Sequence, residues 1–276
     1  KERMTTMPVL ADCHLHSSFS GDSEASMDSM VQQAISRGLK TICFTEHNDF
    51  HFPGENPHQF ELNPDSYLYD LLRAREKYQD RIEILFGVEI GLQEEAAHLN
   101  MLLANGYDFD FIIGSMHIIN GKDPYYPAYF DGRTDEDAYR EYFECTLENL
   151  KAFSNYDSLG HLDYIVRYGK TKDADYSYTK YADYIDPILK LLIDQEKALE
   201  INTAGLRYGL RETNPCLDIV KRYHELGGEL ITIGSDAHKP EDVGYALDKA
   251  GDLLEACGFH SYTTFSHRKA EQRLLK

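Results

Sequence analysis

The chain lacks several features that mark particular classes of protein. It has no tryptophan, and no apolar run approaches the ~18 residues needed to span a bilayer. Its five cysteines are scattered and contain no C-x-x-C pair, which argues against both a disulfide framework and a thiolate zinc site. The opening residues 1–4 are not followed by the apolar stretch of a secretory signal. We therefore expect a cytoplasmic protein that does not engage a membrane.

Basic residues are also scarce. The chain carries 28 Lys and Arg against 47 Asp and Glu, which gives a formal net charge of −19. A polyanionic backbone must be met by clustered cations, so this balance opposes nucleic acid as a partner. A small phosphate could still bind through local cations. Most of the acidic excess is expected to be solvated surface, and a cluster of carboxylates that holds divalent metals would account for part of it.

The 276 residues show one pattern throughout, in which short apolar segments alternate with amphipathic segments of helical period. Strands are predicted at 8–14, 40–46, 82–89, 107–116, 157–163, 198–202 and 229–234. Helices are predicted near 26–37, 64–78, 93–105, 135–153, 180–196, 215–226 and 240–257. Such alternation indicates a parallel sheet. Seven units without a change in composition favour an α/β fold with a single domain over residues 1–276, closed into a TIM-like barrel, with an open doubly wound sheet as the alternative.

Three connections after predicted strands are longer than usual. They cover residues 47–63, 118–134 and 164–179, and the first two are rich in Pro, Gly, Tyr and Phe. Long loops in compact domains are usually functional, and in βα barrels the loops that follow the strands form the active-site face. We expect these loops to wall a pocket, either as a lid or as an ordinary cover.

Histidines and acids gather where the predicted strands end. Asp12, His14 and His16 alternate along an extended segment, so they share one side of it and could converge on one ion. The later strand ends repeat the theme with these residues: Glu46, His47, Glu89, His117, His161, Asp236 and His238. Imidazole and carboxylate are a typical ligand mix for Zn, Fe or Mn. Six of the twelve histidines lie at these ends, which predicts a polynuclear metal centre.

The sixth predicted strand breaks the series. It ends at Asn202 without an obvious ligand, so we expect it to face the substrate. Arg207 and Arg167 each follow a strand end by a few residues and could grip a phosphate bidentately. A surface ion pair is the alternative for either arginine.

These residues resemble the motifs of the PHP family, the polymerase and histidinol phosphatase domain. Four segments carry the resemblance along the whole chain: Asp12-x-His14-x-His16, Thr45-Glu46-His47, Ser115-Met116-His117 and Ser235-Asp236-Ala237-His238. Within the family, the chain is most similar to the stand-alone phosphatases of histidine biosynthesis. The resemblance implies a distorted seven-stranded βα barrel that holds three divalent metal ions, which would be Zn, Mn or Fe.

The resemblance also implies a ligand set for each ion. The first ion would be held by His14, His16, Glu89 and Asp236, and the second by Glu89, His117 and His161. Asp22, His47 and His238 would hold the third. Several relatives carry His where this chain has Asp22, so Asp22 is either a ligand or an acid–base group. An oxygen in place of a nitrogen favours harder ions such as Mn.

The implied activity is hydrolysis of L-histidinol phosphate, a small monoester, to L-histidinol and inorganic phosphate by a hydroxide shared between two ions. Arg167 and Arg207 would clamp the phosphate with Asn202 nearby, and Asp22 or His47 would help protonate the leaving alkoxide. Asn202, Glu46, Asp49 and Asp163 stay open as acceptors for the imidazole and amine. The alternatives are a PHP-type exonuclease, a non-catalytic metal-binding module and an amidohydrolase. The sequence leaves the oligomeric state open.

Overall fold

Seven parallel strands follow one another in chain order around the centre of the protein. A computed structural model describes residues 9–275, so the first predicted residue of strand one, Pro8, lies outside the described part, as do residues 1–4. The strands are Ala11–Leu15 (β1), Thr41–Asn48 (β2), Glu83–Gly91 (β3), Phe111–Ser115 (β4), Ser158–Leu159 (β5), Ala198–Asn202 (β6) and Ile231–Gly234 (β7). Each strand pairs with the next one along the chain. The open doubly wound alternative is wrong, because its strand order would reverse at one point.

The first and last strands meet only at their carboxyl ends. Leu15 forms an isolated parallel bridge with Ala237. Just beyond, the His16 N–H donates to the carbonyl of Ala237 at 2.9 Å, and the Asp236 N–H donates to the carbonyl of His14 at 2.9 Å. The expectation of a distorted seven-stranded barrel is therefore confirmed. Within residues 9–275, the hydrogen bonds between β1 and the β7 segment lie at this one end.

Helices cover the outside of this sheet. They are Met27–Ser36 (α1), Pro64–Tyr78 (α2), Ala97–Gly106 (α3), Asp135–Ala152 (α4), Tyr178–Asp194 (α5), Ala204–Arg207 (α6), Leu217–Glu225 (α7) and Leu247–Ala256 (α8). Four begin where the sequence offers a capping side chain: Ser26, Asn63, Thr134 and Ser177 each accept a backbone N–H three residues ahead. With helices outside and side chains filling the barrel, β1, β4, β6 and β7 are buried at every position. No helix of the described part is both long and apolar enough to cross a bilayer.

Two predicted elements differ from the structure. The strand expected over 157–163 is only two residues long, since His161 adopts a φ of 21° and turns the chain out of the sheet. The helix expected from residue 240 begins at Leu247. The segment before it forms a 3-10 turn at Pro240–Asp242 and then passes through Gly244, whose φ is 68°.

An antiparallel hairpin of Ser261–Ser266 (β8) and Lys269–Leu274 (β9) lies outside the seven predicted units. It packs at the amino ends of the barrel strands. The Ile231 N–H donates to Thr263 Oγ1 at 3.1 Å, and the Arg268 N–H donates to the Asp110 carbonyl at 2.9 Å. The hairpin therefore covers the end of the barrel that is opposite to the predicted site.

Candidate metal centre

Glu89 lies at the centre of the predicted ligands. It lies in β3, two residues before the end of the strand, and is fully buried. Its Oε2 lies 3.2 Å from His14 Nε2 and 3.4 Å from His16 Nε2. Its Oε1 lies 3.0 Å from His161 Nε2 and 3.3 Å from His117 Nε2. His47 Nδ1 also lies 2.9 Å from Oε2. The two oxygens of one carboxylate thus face different sets of imidazoles, which is the arrangement of a carboxylate that bridges two ions.

Asp236 completes the first group. Its Oδ1 lies 3.7 Å from His14 Nε2 and 3.5 Å from His16 Nε2. Ligands at 2.0–2.2 Å from a tetrahedral zinc are separated by about 3.3–3.6 Å, so these donor atoms are spaced to surround one ion. His14 Nε2, His16 Nε2 and Glu89 Oε2 are also buried, and none of them has a hydrogen-bond partner among residues 9–275. Unpaired buried polar atoms are costly, and a bound cation would satisfy all three at once.

A third group lies nearer to solvent. The Nε2 atoms of His47 and His238 face one another at 3.3 Å, and Asp22 Oδ2 lies 3.7 Å from the first and 3.2 Å from the second. The Asp22 side chain is 42% exposed, whereas that of Glu89 is 0% exposed. The structure therefore brings together all nine residues that the sequence singled out as ligands.

For three of the imidazoles, the nitrogen that points away from the cluster is held by another buried side chain. His14 Nδ1 lies 2.5 Å from Glu200 Oε1, and His117 Nδ1 lies 2.9 Å from Asp49 Oδ1. His16 Nδ1 lies 2.9 Å from Ser20 Oγ, whose hydroxyl donates to Glu46. Partners of this kind fix the tautomer and the direction of a metal-binding imidazole.

Sequence reasoning missed Glu200, because it took strand six to have no part in the metal centre. The alternation of Glu200 and Asn202 along a buried strand was the available signal, since both side chains must then point into the barrel.

Asp12 differs from the expectation that the D-x-H-x-H trio converges on an ion. Its Oδ1 accepts the Ser235 N–H at 2.9 Å, and its Oδ2 accepts the Ser235 hydroxyl at 2.5 Å and the Gly244 N–H at 2.8 Å. It also lies outside every metal-sized group found among the described residues, which are listed here: His14, His16 and Glu89; His47, Glu89 and His117; His16, His47 and His238. Asp12 instead ties β1 to the segment after β7.

The electrostatics of the cluster reflect its mixed charge. Burial opposes ionisation of Glu89, but the imidazoles of His14 and His117 outweigh it and hold the pKa of this carboxyl well below its usual range. Burial alone would lower the pKa of His47, but the carboxylates of Asp22 and Glu89 raise it to about 9. The carboxylates therefore stay ionised and attract positive charge, as ligands of a divalent ion must.

The two predicted phosphate-binding arginines differ in setting. Arg167 is 4% exposed and reaches the cluster, where its Nη1 donates to Asp236 Oδ2 at 3.3 Å. Arg207 donates to the backbone carbonyls of Ser235 and Asp236 at 3.2 Å and 2.8 Å. Arg167 lines the cavity above the cluster, and Arg207 is not among the residues that line it.

Asn202 was expected to contact the substrate, but it is fully buried and does not line the cavity. Its Oδ1 accepts from Arg167 Nη2 at 2.9 Å and from the Ala204 N–H at 3.0 Å. Its Nδ2 also donates to Asp236 Oδ2 at 3.3 Å, so it can affect a bound ligand only indirectly, through Arg167 and Asp236. Two further residues that were expected to bind the leaving group, Glu46 and Asp163, have other partners instead. Glu46 accepts from Ser17 and Ser20. Asp163 accepts from Asn214 and Cys216, and its burial raises its pKa to about 6.

A cavity of about 360 Å³ opens above the cluster. The three long loops supply most of its walls, with aromatic side chains that include Phe60, Tyr125 and Tyr164. Besides the ligand candidates Asp22 and Asp236, two further carboxylates, Asp49 and Asp123, line it, and Asp123 had not been singled out from the sequence. The volume is near the lower limit for small-molecule pockets, which suits a ligand smaller than a nucleotide chain.

Comparisons with known proteins agree with this architecture. The model of the PHP domain family matches residues 12–204. The histidinol-phosphatase of Lactococcus lactis subsp. lactis is 36% identical over 95% of this chain and 96% of the relative. A Clostridium acetobutylicum protein that bears the name "Probable histidinol-phosphatase" is 35% identical over 90% of this chain and 94% of its own length.

A solved structure shares the whole arrangement of strands and helices. It is the crystal structure of the histidinol phosphate phosphatase from Lactococcus lactis, complexed with zinc, L-histidinol and phosphate. It superposes with a TM-score of 0.87 at 35% identity, and the match covers 95% of this chain and 98% of the other.

Proposed function

The chain belongs to the PHP domain family, and from this premise we propose that it hydrolyses L-histidinol phosphate to L-histidinol and inorganic phosphate. The observation that carries the proposal is the buried Glu89 carboxylate, which faces five imidazoles at 2.9–3.4 Å below a cavity that Arg167 lines. The Lactococcus lactis relative, whose crystal structure contains zinc and both reaction products, supports the choice of substrate.

We propose three divalent ions, which would be Zn, Mn or Fe. His14, His16, Glu89 and Asp236 would hold the first. Glu89, His117 and His161 would hold the second, and Asp22, His47 and His238 the third. When bound, such ions activate water as a nucleophile and offset the negative charge of the phosphoryl group. The unpaired buried nitrogens of His14 and His16 support this assignment, because they have no protein partner that could replace an ion.

The arginines would bind the phosphate. Asn202 and Asn214 hold the guanidinium of Arg167 in place beside Asp236. Because Arg167 also lines the cavity, its other N–H groups could donate to a phosphate there. Arg207, whose guanidinium donates to the backbone carbonyls of Ser235 and Asp236, is proposed as the second arm of the clamp. Asp22 and His47 belong to the group that lies nearest to solvent, and we propose that one of them, if it is not engaged as a ligand, protonates the leaving alkoxide.

The cavity wall suits the leaving group. L-Histidinol carries an amine and an imidazole, and aromatic rings together with carboxylates attract such a cationic group. Tyr164 and Phe60 supply aromatic surface, and Asp49 and Asp123 supply the acids. We propose Asp123 as the acceptor for the amine, because Asp49 is already engaged with His117.

A direct test compares substrates on metal-defined protein. L-Histidinol phosphate should be hydrolysed with a kcat/KM at least about 100-fold above that of glycerol phosphate, a neutral-alcohol monoester of similar size, since each charge-assisted contact contributes ~1.5–3 kcal/mol. Single-stranded DNA in the same buffer tests the exonuclease alternative. Faster turnover of DNA, or equal turnover of the two monoesters, would contradict the proposal.

We also propose a cytoplasmic location. All five cysteines of the described part are free, and four of them are buried, as expected for a protein of a reducing compartment.

A further inference from the structure

We propose that Glu200 is a positioning residue of the metal centre, and that β6 sets the geometry of the site without supplying a ligand. The inference rests on the proposed metal sites. It concerns a buried carboxylate that belongs to none of the three proposed ligand sets and does not line the cavity.

Glu200 reaches a ligand of the first proposed ion. Its Oε1 lies 2.5 Å from His14 Nδ1, and both side chains are buried, with exposures of 1% and 0%. The opposite nitrogen, His14 Nε2, is the atom that faces Glu89 and Asp236. An acceptor at Nδ1 places the imidazole proton there, so that Nε2 presents its lone pair to the ion.

The other oxygen of Glu200 reaches a ligand of the second proposed ion. Oε2 accepts the backbone N–H of His161 at 2.8 Å. His161 has a positive φ of 21°, a conformation that a residue with a side chain rarely adopts and that persists only where neighbours hold it. Glu200 thus stabilises the turn that aims His161 Nε2 at Glu89 Oε1, 3.0 Å away.

The same oxygen continues into the proposed phosphate clamp. Asn202 Nδ2 donates to Glu200 Oε2 at 3.2 Å, and Asn202 Oδ1 accepts from Arg167 Nη2 at 2.9 Å. One carboxylate is therefore bonded to a ligand of each buried ion and, through Asn202, to the cavity arginine. Alignment of these groups is a function that β6 can perform from inside the barrel, where no solvent competes for its hydrogen bonds.

The test is metal retention by Glu200→Gln. This change keeps the shape of the side chain. A glutamine has one acceptor oxygen, however, so it cannot accept from both the His14 imidazole and the His161 N–H. Second-sphere changes of this type cost about 10–100-fold in metal affinity. We expect the competing-chelator concentration that removes half of the bound zinc to fall by about 10–100-fold, and kcat to fall with KM for the monoester within about threefold.

Asp157→Asn is the matched control. Asp157 is also a buried carboxylate, 6% exposed against 1% for Glu200, and it accepts from the Ile112 N–H and from Arg268 at the amino end of the barrel. Its loss should lower the melting temperature but leave the chelator midpoint within about twofold, which separates positioning from general stability. If Glu200→Gln does not fold, Glu200→Asp retains the charge but is shorter by one methylene, and the same loss of metal is expected.

Three outcomes are distinguishable. Weakened zinc binding in the Glu200 variant but not in the Asp157 variant supports the inference. Unchanged zinc binding in a folded Glu200 variant overturns it, whatever the substrate is. A wild-type chain that retains no divalent metal would instead contradict the proposed function on which the inference rests.

Discussion

At the scale of single residues, the centre depends on one carboxylate that several groups share. Glu89 contacts His14, His16, His117 and His161 through its two oxygens, and His47 Nδ1 also lies 2.9 Å from its Oε2. Substitution at this position therefore disturbs several ligands together, whereas substitution of an outer ligand such as Asp22 disturbs one group.

Glu89→Gln should bind at least one metal equivalent less than the wild-type chain and lose nearly all turnover. A neutral amide cannot offset the charge of two ions, and its NH₂ group would face an imidazole nitrogen. Metal per chain measured by elemental analysis, together with kcat, checks this. Full activity with a full complement of metal in Glu89→Gln would show that the carboxylate does not bridge.

Arg207→Ala should weaken both the monoester and inorganic phosphate. Loss of a charge-assisted hydrogen bond costs ~1.5–3 kcal/mol, which corresponds to about 10–100-fold in KM and in the inhibition constant of phosphate. Arg140→Ala is the control, because Arg140 pairs with Glu136 on the exposed face of α4. Unchanged inhibition by phosphate in Arg207→Ala would leave Arg167 as the only clamp.

At the scale of elements, the site depends on how closely two strands approach. Gly234 ends β7 beside His14 of β1, and a Cβ at Gly234 would overlap the His14 Cβ and lie 2.8 Å from Glu200 Oε1. Only a residue without a side chain allows β1, β6 and β7 to converge here.

Gly234→Ala should therefore destabilise the fold by about 1–3 kcal/mol, as other overpacked cores are, and should displace His14. Chemical denaturation and zinc content are the measurements. Gly106→Ala is the control, since a Cβ at that position at the end of α3 meets no atom within 4 Å. Equal free energies of unfolding for the two variants would mean that the strands can move apart without loss of stability.

The sequence predicted the strand ends better than their connections. Period and composition placed all seven barrel strands, and the positions of His and acid residues at their ends identified eight of the nine ligand candidates. The ninth, Asp22, follows no strand and was expected only from the family resemblance. The short β5 was not predictable, because it depends on the turn at His161, which tertiary hydrogen bonds to Glu200 hold. The late start of α8 depends likewise on the Gly244 N–H that donates to Asp12, 232 residues away in sequence. Contacts of this range leave no periodic signal.

At the scale of the whole molecule, buried carboxyl groups outnumber buried Lys and Arg side chains at the carboxyl end of the barrel. Among the described residues, seven carboxylates there are buried: Asp12, Glu46, Asp49, Glu89, Asp163, Glu200 and Asp236. Arg167 is the one buried Lys or Arg of the described part. Uncompensated buried charge is strongly destabilising, so bound cations would stabilise the entire fold as well as the reaction.

Removal of metal should accordingly lower the melting temperature. An ion present at 100 times its Kd stabilises the folded state by ~2.7 kcal/mol, and each kcal/mol corresponds to about 2–4 °C in a domain of roughly this size. Exhaustive chelation should therefore lower Tm by at least about 5 °C. Calorimetry before and after restoration of zinc checks this. A metal-free protein that melts at the same temperature would argue against ions within the core.

The one-ended junction between β1 and β7 has a mechanical consequence. A barrel whose first and last strands are joined at one end is rigid at that end. Here the joining contacts are the Leu15–Ala237 bridge and the hydrogen bonds of Asp12 with Ser235. The opposite rim is held by the β8–β9 hairpin, through side chains such as Thr263. Native-state hydrogen exchange should therefore be faster in the amino-terminal halves of β1 and β7 than in β2 and β3, whose ladders run over eight paired positions. On heating, the barrel would then begin to unfold at the amino ends of β1 and β7, which are farthest from the ions, and unfolding would proceed towards the metal centre.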